Sequence, residues 1–295
     1  MGQALATAFP VCRQTFDEAD AALGDSLSRL CFDGPDDQLT LTENTQPAIL
    51  TASIAAYRAL HSRGARPAFV AGHSLGEYSA NVAAGTMAFA DALGIVRRRG
   101  RYMQDAVPVG AGAMAAILGL DAAIVAQACR EAADGEVVSP ANLNGGGQVV
   151  IAGARGAVAR AGERAVALGA RRVVPLSVSA PFHCALMKPA EERLAPELRA
   201  LRTRDPAQPV VANVDAEPKR RAYDAIEALV AQVSSPVRWE DVVRRLALEG
   251  VTTYVEVGPG NVLSGLVKKI HRDAAVVSFS APDDLGSVED VLGRA

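Results

Sequence analysis

Residues 68–77 read Ala68-Phe69-Val70-Ala71-Gly72-His73-Ser74-Leu75-Gly76-Glu77. A short apolar run ends at Ala71, a serine follows between two glycines, and a helical stretch runs on from Glu77 to Ala84. That order is a strand, a sharp turn and a helix, with Ser74 at the apex. A turn tight enough to lift one side chain crowds the Cβ atoms on either side, so glycine is expected to be a steric requirement at both 72 and 76. The helix aims its first free N–H groups, and the positive end of its dipole, at any anion forming beside Ser74. Gly-x-Ser-x-Gly in this setting is an arrangement of acyl-transfer chemistry. The plain alternative is a glycine-rich turn with a serine cap.

A serine hydroxyl is a poor nucleophile at neutral pH and needs a base, most often histidine. The chain has four: His61, His73, His183 and His271. His61 falls where a helix runs out into Ser62-Arg63-Gly64, a place the helix dipole favours. His73 is the immediate neighbour of Ser74, and successive side chains on a tight turn diverge. His271 lies in the basic stretch Lys268-Lys269-Ile270-His271-Arg272 and is expected to be solvated. His183 follows the strand-like run to Val178 and the loop Ser179-Ala180-Pro181-Phe182, where a scaffold places catalytic groups. It is the candidate base. Cys184 beside it is expected to be a small core residue.

Residues 88–105 repeat apolar positions at three- and four-residue steps (Phe89, Ala92, Leu93, Val96, Gly100, Met103). With Val96 at the centre of the apolar face, the helical period places Arg97 about 100° away, Arg98 about 160° and Arg99 only about 60°. Arg98 is therefore the solvated arginine and Arg99 the one turned inward. A guanidinium facing inward must find an anion or bear a large desolvation cost. Either it forms a structural ion pair, or it snorkels along its stem, or its planar fork is kept for a ligand carboxylate.

The middle of the chain follows a β-α-β-β-α-β order. Ala113–Leu118 reads as a strand, Asp121 as the cap of a helix to about Ala133, and Val137–Asn142 and Gln148–Gly153 as strands joined by Asn144-Gly145-Gly146-Gly147. A helix from about Ala157 to Leu168 stops at Gly169, and Arg172–Val178 is the last strand. That is the split pattern of a ferredoxin-like unit. It assigns residues 108–179 to a small subdomain inserted in a larger one made of 1–107 and 180–295. The larger part pairs Ala68–Ala71, Val210–Asn213 and Thr253–Val257 in a mostly parallel sheet flanked by helices. The cleft between the two parts is then the site, with His73 and Asn142 in its lining. Gly258-Pro259-Gly260, after the strand ending at Val257, lacks the lysine of a P-loop and reads as a packed strand-to-helix turn.

With 295 residues, 49% of them hydrophobic, the chain can bury a large core. Its formal net charge of −3 comes with no basic block and no zinc-ligand spacing, which argues against nucleic acid and a metal. Four scattered cysteines fit reduced thiols, and neither a transmembrane run nor a signal peptide is seen, as in a cytoplasmic enzyme.

Four stretches together resemble malonyl-CoA:acyl-carrier-protein transacylases over essentially the whole chain: Gly72-His73-Ser74-Leu75-Gly76-Glu77-Tyr78-Ser79-Ala80, Arg99-Gly100-Arg101-Tyr102-Met103-Gln104, Pro181-Phe182-His183-Cys184-Ala185-Leu186-Met187, and Val255-Glu256-Val257-Gly258-Pro259-Gly260. The resemblance implies an α/β-hydrolase-like core carrying the ferredoxin-like insertion. It also implies transfer of malonyl from malonyl-CoA to the phosphopantetheine thiol of an acyl carrier protein, for fatty-acid or polyketide synthesis. In such a protein Ser74 is the nucleophile and His183 the base, oriented by the main-chain carbonyl of Gln232. Arg99 holds the malonyl carboxylate, no cofactor is needed, and a monomer is expected. Phe182, bulky and next to the base, is expected to favour malonyl over methylmalonyl.

Members of that family open with a hydrophobic strand ending in a Gly-Gln-Gly-Ser-Gln loop, which lends one of two oxyanion N–H donors. Here Met1-Gly2-Gln3-Ala4-Leu5 corresponds to the helix after that loop, leaving the Leu75 N–H as the remaining donor. A late start, a trimmed chain and an impaired one stay open. Two further readings stay open with them: a serine hydrolase, either an esterase or an acyl-carrier editing hydrolase, for which an ordinary α/β-hydrolase layout would favour His271, and a carrier-docking module without activity.

Overall fold

The sharp turn folds around a single steric constraint. In the computed structural model, which describes residues 1–293, strand β1 (Val70–Ala71) leads through Gly72 and His73 to Ser74, and the helix Leu75–Ala83 begins on the next residue. A Cβ on Gly72 would stand 2.0 Å from the carbonyl carbon of Gly76, whereas a Cβ on Gly76 would meet nothing within 4 Å. The expected steric requirement therefore holds for Gly72 and not for Gly76. The helix backbone passing at 76 is what forbids a side chain at 72.

The middle of the chain runs β2 (Gly112–Leu118), helix Ala122–Ala132, β3 (Val138–Gly145), β4 (Gln148–Ala154), helix Arg155–Ala167 and β5 (Arg172–Pro175). These strands form one antiparallel sheet in the order β3-β4-β2-β5. Period-two alternation divides its faces. Ile117 and Ile151 pack on one side with Val125, Cys129, Val158 and Ala161 of the two helices. Met114, Ala116, Val150 and Ala152 pack on the other with Cys184, whose thiol burial pushes up to about 11. The boundaries differ in detail from the sequence reading. Gly145 joins β3, so the turn contracts to Gly146-Gly147; β5 stops at Pro175 rather than Val178; and the second helix begins at Arg155 rather than about Ala157. Asp121 holds the expected cap position but makes no side-chain capping bond.

Around this sheet lie two smaller ones. Strand β6 (Val210–Val211) pairs parallel with β1, and β7 (Pro218–Lys219) pairs antiparallel with β6. Strand β8 (Thr253–Val257) pairs parallel with β9 (Ala275–Phe279). The expectation that Thr253–Val257 shares a sheet with Ala68–Ala71 and Val210–Asn213 is thus corrected. Apolar packing, not a ladder, joins the two: Phe69, Ala71 and Val211 share a cluster with Tyr254, Val276 and buried Trp239.

Helices cover these sheets, and the crossing of two of them shapes the interior behind Ser74. Helix Thr42–His61 crosses helix Phe89–Asp105 at Gly100, where a Cβ would lie 2.7 Å from the Glu43 Cα. That close approach brings Gln46 against Arg99. The antiparallel sheet is tied to the rest by two main-chain bonds, from the Leu143 N–H to the Val237 carbonyl and from the Val237 N–H to the Ala141 carbonyl, each 2.8 Å. No helix among the described residues is long and apolar enough to cross a membrane.

Candidate active site

Ser74 is held in an unfavourable backbone conformation, φ 52° and ψ −107°, and His183 also has a positive φ of 61°. Both are rare for residues with a Cβ and cost of order 1–3 kcal/mol each unless the surroundings enforce them. The enforcement is visible. The Ser74 N–H donates to Asn213 Oδ1 at 2.7 Å, and the Ser74 carbonyl accepts from Gln232 Nε2 at 2.9 Å. Asn213, just beyond the end of β6, also donates through Nδ2 to the Gly72 carbonyl at 2.8 Å.

So held, the Ser74 hydroxyl stands 2.6 Å from His183 Nε2. The other ring nitrogen of His183, Nδ1, is 3.0 Å from the Gln232 main-chain carbonyl. A carbonyl can only accept, which fixes the proton on Nδ1 and leaves Nε2 to accept from the serine. Burial, and then the positive charge of Arg99, hold His183 down at about 3. The ring is therefore neutral, and its Nε2 lone pair free, at any ordinary pH.

Arg99 is 2% exposed. Its Nη1 donates to Gln46 Oε1 at 2.8 Å, and its Nη2 to Gln232 Oε1 at 3.0 Å and to Ser74 Oγ at 3.1 Å. Its carbon lies 5.2 Å from the centre of the Tyr78 ring. Arg98, by contrast, reaches the half-exposed surface and pairs with Glu197.

A cavity of about 300 Å³ opens onto these groups, and His73, Ser74, Leu75, Arg99, Asn142, Phe182 and His183 all line it. Gln232 is fully buried behind it. His73 turns away from the hydroxyl, and its Nε2 meets Asn144 Oδ1 at 3.0 Å. Leu75, first residue of its helix, has no carbonyl one turn back for its N–H. His271 lies elsewhere, its Nδ1 3.1 Å from the Tyr254 hydroxyl, and is half-buried where the basic stretch suggests a solvated side chain. A second cavity of about 220 Å³, between Lys268 and Asp284, holds no nucleophile–base pair. Among the described residues, no group of three or more His, Cys, Asp and Glu could hold a metal ion.

Four contributors escape the sequence reading: Gln46, Glu77, Tyr78 and Asn213. Glu77 and Tyr78 are inside the motif that flags Ser74, and Asn213 sits at the carboxyl end of a parallel strand, a position where sites gather. Gln46 carries no local signal, lying in an ordinary helix.

Three comparisons with known proteins bear on this geometry. The family described as acyl transferase domain matches residues 1–292. The malonyl CoA-acyl carrier protein transacylase of Escherichia coli K12 is 53% identical over 284 residues, covering 96% of this chain and 92% of its own; that of Bacillus subtilis 168 is 48% identical over 286 residues, covering 97% and 90%. Among solved structures, the corresponding transacylase of Coxiella burnetii superposes with a TM-score of 0.96 at 40% identity, covering 99% of this chain and 93% of its own. A malonyl-transacylase in complex with its type II polyketide acyl-carrier protein gives 0.95 at 46% identity, covering 98% and 94%.

Proposed function

The chain belongs to the malonyl-CoA:acyl-carrier-protein transacylase family of acyl transferases, and from that premise we propose that it moves malonyl from malonyl-CoA to the phosphopantetheine thiol of an acyl carrier protein through an ester on Ser74. The observation that carries the proposal is the convergence of Ser74, His183 and Arg99 on one cavity. A nucleophile and base alone would serve many hydrolases. A buried guanidinium 3.1 Å from the nucleophile selects an acyl group that ends in a carboxylate.

Ser74 Oγ attacks the thioester carbonyl while its proton passes to His183 Nε2. The carbonyl oxygen takes the negative charge, and the Leu75 N–H donates to it at the dipole-positive end of the helix. When the carbonyl re-forms, the coenzyme A sulfur leaves and takes the proton from His183. The carrier's thiol then gives its proton to the same nitrogen, its sulfur attacks the ester, and Ser74 departs reprotonated. The Gln232 carbonyl holds the ring through both half-reactions. Phe182 bounds the cavity beside the base, where it would exclude a methyl branch; His73 and Asn142 complete the lining. Nucleophile, base and anion site all come from the chain, so the cycle calls for no cofactor.

The strand order β3-β4-β2-β5 supports reading residues 108–179 as a ferredoxin-like unit inserted in a hydrolase-like part made of 1–107 and 180–295. We take the protein to be a cytoplasmic monomer acting in fatty-acid or polyketide synthesis. Intact mass after mixing with malonyl-CoA tests the function. The expected result is one malonyl group on Ser74, slow to hydrolyse and lost on adding a holo carrier protein. Rapid hydrolysis would make the chain an editing hydrolase, and no adduct would leave it a docking module.

A further inference from the structure

Arg99 has no acid among its hydrogen-bond partners. Gln46 Oε1, Gln232 Oε1, Ser74 Oγ and the Tyr78 ring are all neutral. A buried cation surrounded only by dipoles is expensive, and a counter-charge is expected nearby. Among the described residues, Glu77 is the one fully buried carboxylate, 1% exposed, as Arg99 is the one fully buried guanidinium. The two do not touch. Glu77 Oε2 accepts from Gln232 Nε2 at 2.7 Å and from the Asn213 N–H at 3.0 Å. Gln232 therefore stands between acid and base, its nitrogen toward Glu77 and its oxygen toward Arg99.

The orientation of that amide follows from its neighbours. Its nitrogen end faces acceptors only: Glu77 Oε2, the Ser74 carbonyl at 2.9 Å and, at 3.4 Å, Asn213 Oδ1. Its oxygen end faces a donor. We propose that Glu77 is the counter-charge of Arg99, held one amide away by Gln232, so that the site is neutral before substrate arrives while the guanidinium keeps donors free for an incoming carboxylate. A direct ion pair would have closed the fork. Three of the five N–H groups of Arg99 have partners; of the other two, the Nε–H is buried without one and the second N–H of Nη1 is unpaired. The proposal rests on the assignment of Arg99 to the malonyl carboxylate.

Holding the acid at a distance makes it a positioning residue with an electrostatic consequence. An ionised Glu77 has the same sign as the substrate carboxylate and competes with it for Arg99. Burial raises the Glu77 carboxyl to about 7; its bonds from Gln232 and Asn213 lower it, Asp215 raises it and Arg99 lowers it. Those charges, with Tyr78 on its own helix, are the groups that face it. A carboxylate arriving at Arg99 draws a proton onto Glu77, and by reciprocity a protonated Glu77 favours that carboxylate.

The test compares malonyl-CoA with acetyl-CoA, which shares the coenzyme and lacks the carboxylate. The malonyl-to-acetyl ratio of kcat/KM should fall as pH rises through about 7, by roughly tenfold, within the usual range of coupling between two sites. Glu77→Gln keeps an acceptor oxygen for Gln232 and Asn213 without the charge, so its ratio should stay at the acid level throughout. A purely structural Glu77 would lower Tm and slow both substrates alike. A second measurement does not depend on that variant folding: binding of malonyl-CoA to Ser74→Ala near pH 7, by calorimetry in two buffers of different ionisation enthalpy, should take up a fraction of a proton that acetyl-CoA does not. A flat wild-type ratio, the wild-type slope retained in Glu77→Gln, or no differential proton uptake would each overturn the proposal. Failure of the Arg99 assignment is a separate result, seen as an unchanged ratio in Arg99→Ala.

Discussion

The antiparallel sheet β2–β5 and the neighbourhood of Ser74 are built on opposite terms. In the sheet, alternate residues face one side or the other; Ile117 and Ile151 pack with Val125 and Val158 of the covering helices and with alanines, without a buried charge. Around Ser74 the interior is Gln46, Glu77, Arg99, His183, Asn213 and Gln232, every one of them buried. They come from distant parts of the chain, and the bond from Gln232 to the Ser74 carbonyl alone spans 158 positions. The first region gains stability from apolar area; the second uses hydrogen bonds to hold two residues at strained φ and to keep a cation dry. Stability and reactivity are thus assigned to different parts of one chain, and substitutions should separate them.

The largest separation is expected at the nucleophile. Ser74→Ala should abolish the acyl-enzyme, and His183→Ala should slow its formation about 10³-fold or more, since the two act as a unit. Ser74→Ala should not lower Tm appreciably, because it removes one hydroxyl from an already strained turn. Stopped-flow acylation and thermal unfolding check this. Next comes Arg99→Ala, which should cost malonyl transfer about 2–5 kcal/mol. Acetyl transfer should be unchanged or faster. Equal losses for both substrates, with a falling Tm, would return Arg99 to a structural role.

In the other region the pattern should invert. Ile151→Ala, at a fully buried position in the sheet, should destabilise by about 2–5 kcal/mol in urea unfolding. The malonyl-to-acetyl ratio should stay at its wild-type value, and a shift in that ratio would mean that the sheet's packing sets the site. The smallest expected effect is an absence. His183 remains neutral down to about 3 rather than 6.5, so kcat/KM for acetyl-CoA should show no acid limb near the ordinary histidine value. A limb there would mean that the free protein's base is more exposed than the geometry allows.

The same contrast explains what could be read in advance. The order of strands and helices in residues 112–175 is legible because each buries one face with a regular period, and Arg99 is legible because it breaks such a period on an otherwise apolar face. Ser74 is marked by its glycine, His183 by a loop after a strand. Gln46 and the side chain of Gln232 have no such mark, and Asn213 has only its place at the end of a strand. They are polar residues whose partners lie far off in the chain, and nothing local distinguishes them from solvated ones. The separation of β8–β9 from β1–β6 is hidden for a related reason: apolar runs report burial but not which ladder each strand joins.

The two main-chain bonds at Val237 act as a shared datum for two halves of the site. They set Val237 in register with Asn142 of β3, a residue of the cavity lining, through a single parallel bridge. Five residues earlier in the same stretch stands Gln232, whose carbonyl aims the base. The lining contributed by the sheet and the orientation of His183 are therefore both referenced to residues 232–237. Because backbone atoms alone make that bridge, it does not depend on which side chain stands at 237.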